Sequence, residues 1–336
     1  MTRVLTLPVV IFVLSVALLV ASGFLFFVAG KSFGVESSSE LIAPVEIEPS
    51  AEKLFTTSVF DKVRMEKTTD NYPPSNYFPV NVKALTEVDL ELTAATYAVM
   101  DRDTRELLIA RNHTSERQIA SLTKVMTALV AMDKEKMDKM LVVPQVAAEV
   151  GEAEMGLSAG EQVQLEDLLY GLLMVSGNDA AETIARGTGR GRYWFIEEMN
   201  KKAYSIGLKD TYFVNPTGLD EETQEKSSFS TALDLLALVN YALTKPEFAE
   251  IVGTKYHEIY YKENYHKAFF LDNILSFDLT YPGIKGVKTG NTDFAGQTLI
   301  SYVEHKGRRI LVVLLGSSAS RDDVVKIYKW VFGEEL

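Results

Sequence analysis

The 336-residue chain contains no cysteine, which excludes a disulfide framework, a zinc–thiolate site and a cysteine nucleophile. Its four histidines, His113, His257, His266 and His305, show no metal-ligand spacing such as His-Glu-x-x-His, and no Gly-x-Ser-x-Gly elbow marks a hydrolase triad. Neither a metal nor a cofactor is expected. Basic residues are in deficit, with a net charge of −12. Only Arg3 and Lys31 are charged in the first 33 positions, so the rest of the chain carries −14, a balance that disfavours nucleic acid as a partner. No internal repeat is apparent. Charge is missing altogether from Leu5 to Gly30.

That uncharged run, LTLPVVIFVLSVALLVASGFLFFVAG, exceeds the roughly 20 residues needed to span a bilayer and reads as a transmembrane helix. A cleaved signal peptide is the competing reading, because Ala21-Ser22-Gly23 mimics a cleavage site. The apolar residues continue through Phe24–Val28, however, beyond the usual length of a signal core. Residues 1–31 are therefore expected to be a membrane anchor, with Arg3 against Lys31 giving a weak orienting bias. Residues 32–91 mix ESSSE, IEPSAE and NYPPSNYFP without a sustained period, and are expected to be a stalk or linker. Residues 92–336 form the globular part, and the chain's 47% hydrophobic content is enough to build its core.

From about Leu92 the texture changes. TAATYAVMD and ELLIARN are strand-like runs separated by the polar turn Arg102–Arg105, which predicts a hairpin. SLTKVMTALVAMD then places Leu122, Val125, Met126, Leu129 and Met132 on one helical stripe with Ser121 at its N-terminal end. Leu165–Val175, Asp179–Arg186, Tyr193–Ile206 and Ser230–Leu243 also read as helices. After Tyr281-Pro282-Gly283 come three strand-like runs, IKGVKTG, AGQTLISYVE and RRILVVLLG, and a terminal helix from Arg321 to Phe332. Two strands at one end and three at the other, around helices, predict an α+β domain with one antiparallel sheet flanked by helices.

Residues three apart on a helix share a face, so Ser121-Leu122-Thr123-Lys124 brings an amine within reach of a hydroxyl, a nucleophile beside a base. Alone, this spacing is equally well read as an N-cap serine followed by a solvated lysine. Two more motifs follow in order: Ser176-Gly177-Asn178 in a turn between helices, and Lys288-Thr289-Gly290 on a predicted strand. Helix termination at Ser176-Gly177 and N-capping by Asn178 or Asp179 are compatible structural roles. The set Ser-x-x-Lys, a Ser/Asn element and Lys-Thr-Gly is the signature of penicillin-binding proteins and class A β-lactamases.

The flanks narrow the resemblance. IASLTKVMTA, VSGNDAAETIA, FVNPTGL, TALDLLAL and GVKTGNTDFAG are similar to stretches of the S11 peptidase family of D-alanyl-D-alanine carboxypeptidases, and the likeness runs from Thr93 to Phe332. It implies a serine β-lactamase/transpeptidase-like fold and an acyl-enzyme on Ser121 formed from peptidoglycan stem peptides, with β-lactams as covalent inhibitors. It further implies Lys124 as the base, made neutral by burial or by the Lys288 cation, and Ser176 as a proton relay. Asn178 would hold the substrate, the N–H groups of Ser121 and Asn291 beside Gly290 would form an oxyanion hole, and Thr289 with Arg321 would clamp the substrate carboxylate. Arginine at a helix N-terminus is unfavourable to the helix dipole, which argues that Arg321 has such a task. The family often has glycine where Arg105 stands, and many relatives carry a C-terminal β-rich domain and amphipathic helix, a membrane attachment that the N-terminal anchor is expected to replace.

The resemblance leaves two rivals. A D,D-endopeptidase would use the same residues on cross-linked peptides, and a non-catalytic penicillin sensor would only bind. The second has no physical need for a nucleophile flanked by two lysines. A β-lactamase is disfavoured by Ser-Gly-Asn in the middle motif and by the lack of a convincing deacylating glutamate. The catalytic domain is expected outside the cytoplasm, on a single-pass anchor in the cell membrane.

Overall fold

The computed structural model describes residues 75–80, 90–275 and 281–335. The expected membrane helix and nearly all of the expected stalk lie outside these residues, and among the described residues no helix is long and apolar enough to cross a membrane.

The first and last strands of the described domain build one sheet. Strands β1 (Thr96–Asp101) and β2 (Leu107–Arg111) join β3 (Ile284–Thr292), β4 (Gly296–His305) and β5 (Arg308–Ser317) in the order β2-β1-β5-β4-β3, with every pair antiparallel. This is the antiparallel sheet the two-plus-three pattern predicts. The inner strands β1 and β5 are buried on both faces, and alternate side chains enter different cores. Ala98, Met100, Leu311, Val313 and Leu315 face the helical body, whereas Tyr97, Val99, Ile310, Val312 and Leu314 pack under the last helix.

Helix α1 (Thr123–Lys134) runs through the helical body and is buried along every residue from Thr123 to Ala131. The expected single stripe is therefore too narrow: a helix buried all round has neighbours on every side. Those neighbours are α2 (Leu165–Met174), α3 (Asn178–Gly187), α4 (Arg192–Ile206) and α5 (Ala232–Ala242). The expected helices match these within a few residues. Helix α6 (Pro246–Gly253) and the hairpin of Tyr256–Ile259 with Phe269–Asp272 were not anticipated. Tyrosines and charges in YHEIYYKENYHKAFF obscure the hairpin's alternation, although proline at the start of α6 is a legible signal.

Two features of the ends bear on the site. Ser75–Val80, inside the expected linker, packs on the domain: Val80 N–H donates to Arg105 O at 3.0 Å, Arg105 Nη1 to Asn76 O at 2.6 Å, and Asn240 Nδ2 to Tyr77 O at 3.0 Å. Arg105 adopts φ +56°, which glycine would reach without strain, and its contacts to the 75–80 segment offset that cost. At the other end, α7 (Ser320–Val331) is bolted to the first strand by Asp323. Its carboxylate is 1% exposed and accepts from Thr93 N (2.9 Å), Thr93 Oγ1 (2.8 Å), Ala94 N (2.9 Å) and Ser317 Oγ (2.8 Å).

Removing that acceptor strands the buried Ala94 N–H and the buried Ser317 hydroxyl, and takes the partner from the part-buried Thr93 N–H. Asp323→Ala is therefore expected to lower the unfolding free energy of the full-length chain by about 3 kcal/mol, read by chemical denaturation. A loss under about 1 kcal/mol would show that the four contacts are dispensable.

Candidate active site

Ser121 does not sit in the regular helix. It occupies a 3-10 turn, Ala120–Leu122, that leads into α1, and Ala120 before it is held at φ +48°. Two glycines allow other segments to close on this turn. A β-carbon at Gly218 (φ +80°) would lie 1.9 Å from Ala120 O, and one at Gly290 would lie 2.9 Å from Ser121 N. These are the glycines of the Pro-Thr-Gly and Lys-Thr-Gly stretches, so their sequence signal has a steric origin. Thr298 Oγ1 adds a bond to Ile119 O at 3.2 Å.

Lys124 is fully buried, and its Nζ has three oxygen neighbours: Ser121 Oγ at 2.9 Å, Asn178 Oδ1 at 2.7 Å and Thr217 O at 2.7 Å. Two of these can only accept. A neutral amine has two N–H bonds and one lone pair, so it satisfies the amide and the carbonyl with its protons and points the lone pair at the hydroxyl. Burial holds the Lys124 pKa well below the ordinary lysine range, and the nearby Lys288 lowers it further, against the opposing pull of Glu152 and Asp179. An ammonium could donate to all three oxygens, so the geometry admits both forms; it is the lowered pKa that favours the neutral amine, the form able to take the serine proton.

The middle motif turns between α2 and α3. Ser176 is the residue in the left-handed region, at φ +65°, whereas Gly177 has φ −55° and precedes α3. The helix-ending glycine role thus falls to the serine, a strained placement in a cleft wall. Asn178 does not cap α3: it is the first helical residue, and its side chain bridges Lys124 Nζ to Gly151 O (3.0 Å). Asp179 is the residue the sequence reading underused. Its buried carboxylate accepts from Met155 N, Gly156 N and Leu157 N, each at 2.8 Å, and fixes the 151–157 loop beside the site. Acid in the first turn of a helix is a detectable signal, but one shared by many surface helices.

Lys288 is buried on β3, donates to Thr289 O at 2.7 Å, and burial lowers its pKa to about 7. Ser121, Ser176, Asn178, Thr289, Gly290, Asn291 and Arg321 all line one cleft of about 680 Å³, and the two lysines are buried outside its lining, Lys124 on Ser121 and Asn178 and Lys288 on Thr289. Arg321 starts α7 and donates to Ile274 O at 2.7 Å. Gln297, also missed from the sequence, holds that helix start by accepting from Ser320 N and Ser320 Oγ at 3.0 Å each. Asp220 likewise ties the loop after Gly218 to the β3–β4 turn through Thr292 Oγ1 and Phe294 N, both 2.9 Å.

The sequence family described as D-alanyl-D-alanine carboxypeptidase, peptidase S11, matches residues 82–319. The D-alanyl-D-alanine carboxypeptidase DacF of Bacillus subtilis is 32% identical over 271 residues, covering 78% of this chain and 68% of its own length. A D-alanyl-D-alanine endopeptidase of Pseudomonas aeruginosa is 30% identical over 256 residues, with 74% of this chain and 80% of the relative covered. Among solved structures, the Streptomyces K15 DD-transpeptidase superposes with a TM-score of 0.68 at 25% identity, over 74% of this chain and all of that one (100%).

The site makes a pH prediction. Serine attack needs neutral Lys124, so reaction of Ser121 with a serine-directed fluorophosphonate should rise with pH through the lowered Lys124 pKa and level off well below 10.5. Lys288→Met removes a cation that depresses that pKa, and the rising limb should move to higher pH. An unmoved limb would mean that Lys288 does not tune the base.

Proposed function

We propose that the chain, which belongs to the peptidase S11 family of D-alanyl-D-alanine carboxypeptidases, removes the terminal D-alanine from peptidoglycan stem peptides through an acyl-enzyme on Ser121. The observation that supports this most is the amine of Lys124 buried 2.9 Å from Ser121 Oγ with its other two partners both acceptors. Lys124 takes the hydroxyl proton as Oγ bonds to the carbonyl carbon of the penultimate D-alanine. The negative oxygen of the tetrahedral intermediate faces the N–H groups of Ser121 and Asn291. As the peptide C–N bond breaks, Ser176 relays the proton to the departing amine, and D-alanine leaves. Water then attacks the ester, gives its proton back along the same path and restores the serine.

Thr289 and Arg321 hold the free carboxylate of the substrate. Asn178 keeps one amide oxygen on Lys124 and turns its nitrogen towards the 151–157 loop, so it couples the base to the wall against which the substrate backbone lies. A D,D-endopeptidase reaction would use the same groups on a cross-linked peptide, and the Pseudomonas relative named for that activity favours keeping it as a second reading. A purely binding role fits poorly, because burying two lysine side chains close enough to influence each other costs several kcal/mol that binding alone does not require. β-Lactams, which present a strained amide beside a carboxylate, are expected to acylate the same serine. The uncharged run Leu5–Gly30 supports a single-pass anchor with the domain outside the cytoplasm, where peptidoglycan lies.

The full-length chain should release D-alanine from a peptide ending in D-Ala-D-Ala, and Ser121→Ala should abolish release. Arg321→Ala should slow that reaction by about ten- to a hundredfold, the worth of one charge-assisted hydrogen bond, and should impair acylation by a β-lactam ester, which lacks the free carboxylate, far less. Equal losses for both would assign Arg321 a structural task. Cleavage of a cross-linked dimer in preference to the linear peptide would favour the endopeptidase reading. For the anchor, the chain is expected to stay in membranes after alkaline washing with its N-terminal segment intact, and a mature terminus near Gly23 would show a cleaved signal instead.

A further inference from the structure

The cleft contains a carboxylate that the reaction above does not use. Glu152 lines it together with Ser121, Ser176 and Asn178, is exposed to solvent, and is held at φ +62°. A non-glycine residue persists in that region only where its surroundings fix it. Here both flanks are fixed by one residue: Asn178 Nδ2 donates to Gly151 O at 3.0 Å, and Asn178 N–H donates to Ala153 O at 2.7 Å. Just beyond, Asp179 binds three successive N–H groups from Met155 to Leu157. Glu152 is therefore the tip of a short arch, bolted at both feet to the asparagine that touches Lys124, and no ion pair among the described residues engages its side chain.

We propose that Glu152 is a specificity residue that binds the free ammonium on the side chain of the residue preceding D-Ala-D-Ala, so that the preferred substrate is a stem peptide with an unmodified diamino acid there. This rests on the carboxypeptidase reading. The chemistry of the cleft gives the direction. In the unreacted substrate the terminal D-alanine, its nitrogen still an uncharged amide, offers a methyl and a carboxylate, and the carboxylate is repelled by Glu152 and attracted by Arg321. A carboxylate in the same cleft therefore has an attractive partner only in the acyl portion, and the group of opposite charge available there is a side-chain amine. Electrostatics supports the assignment: unpartnered, Glu152 favours the charged form of Lys124 and works against the base, and a bound ammonium cancels that influence.

The test uses the full-length chain in detergent and two peptides, Nα-acetyl-L-lysyl-D-alanyl-D-alanine and the same peptide acetylated also on the side-chain amine. D-Alanine release gives kcat/KM for each, and the ratio of the two on one preparation cancels any difference in folded fraction. The wild-type ratio should favour the free amine by about five- to tenfold at low ionic strength and shrink with added salt. Glu152→Gln should bring the ratio to about one, and Glu152→Lys should invert it. Asp322→Asn removes another carboxylate of the same cleft and should leave the wild-type ratio in place, which separates a local contact from general charge. A wild-type ratio near one, or a Glu152→Gln ratio equal to that of the wild type, overturns the subsite while leaving the carboxypeptidase reading intact. No release from either peptide by the wild type overturns both.

Discussion

A lysine amine placed out of reach of water is the constraint on which the rest of this structure depends. Burial disfavours the ammonium by several kcal/mol, and three oxygen neighbours must then be shared by two N–H bonds and one lone pair. Of the three neighbours, only the serine hydroxyl can donate to that lone pair. The same burial that makes Lys124 a base thus also fixes which of the three oxygens is activated. Lys288, buried on the edge strand, contributes by making a second positive charge unfavourable.

Holding that arrangement requires segments that are far apart in the chain. Ser121 comes from a strained turn ahead of α1, Asn178 from the start of α3, Thr217 from a self-bonded loop, and Lys288 from the edge strand of a sheet made by the first and last strands of the described domain. Close approach is possible because Gly218 and Gly290 have no β-carbon, and because Asp323, Gln297 and Asp220 tie α7, its first turn and the neighbouring loop to the sheet. Three of the eight non-glycine residues with positive φ among the described residues, Ala120, Glu152 and Ser176, lie at or beside the cleft.

Much of this was legible in the sequence, for identifiable reasons. The strand runs of β1 and β5 were readable because both faces are buried and the residues are almost continuously apolar, and the motif residues because their spacing carries chemistry. What escaped detection depends on contacts across space. Asp179, Gln297 and Asp220 are ordinary polar residues whose value comes from the backbone amides they meet. Ser176 looks like the residue before a glycine turn and instead takes the left-handed place itself. Ser75–Val80 has the composition of a linker, yet it is held by Arg105.

The central claim is that Ser121 is the nucleophile and Lys124 its base. Intact-mass measurement of the full-length chain after exposure to benzylpenicillin tests it most directly, because the opened β-lactam stays tethered beside the ester and hinders the hydrolytic water. The wild type should gain one penicillin mass, Ser121→Ala none, and Lys124→Ala very little. An adduct on Ser121→Ala, or none on a wild-type chain that releases D-alanine, would contradict the account.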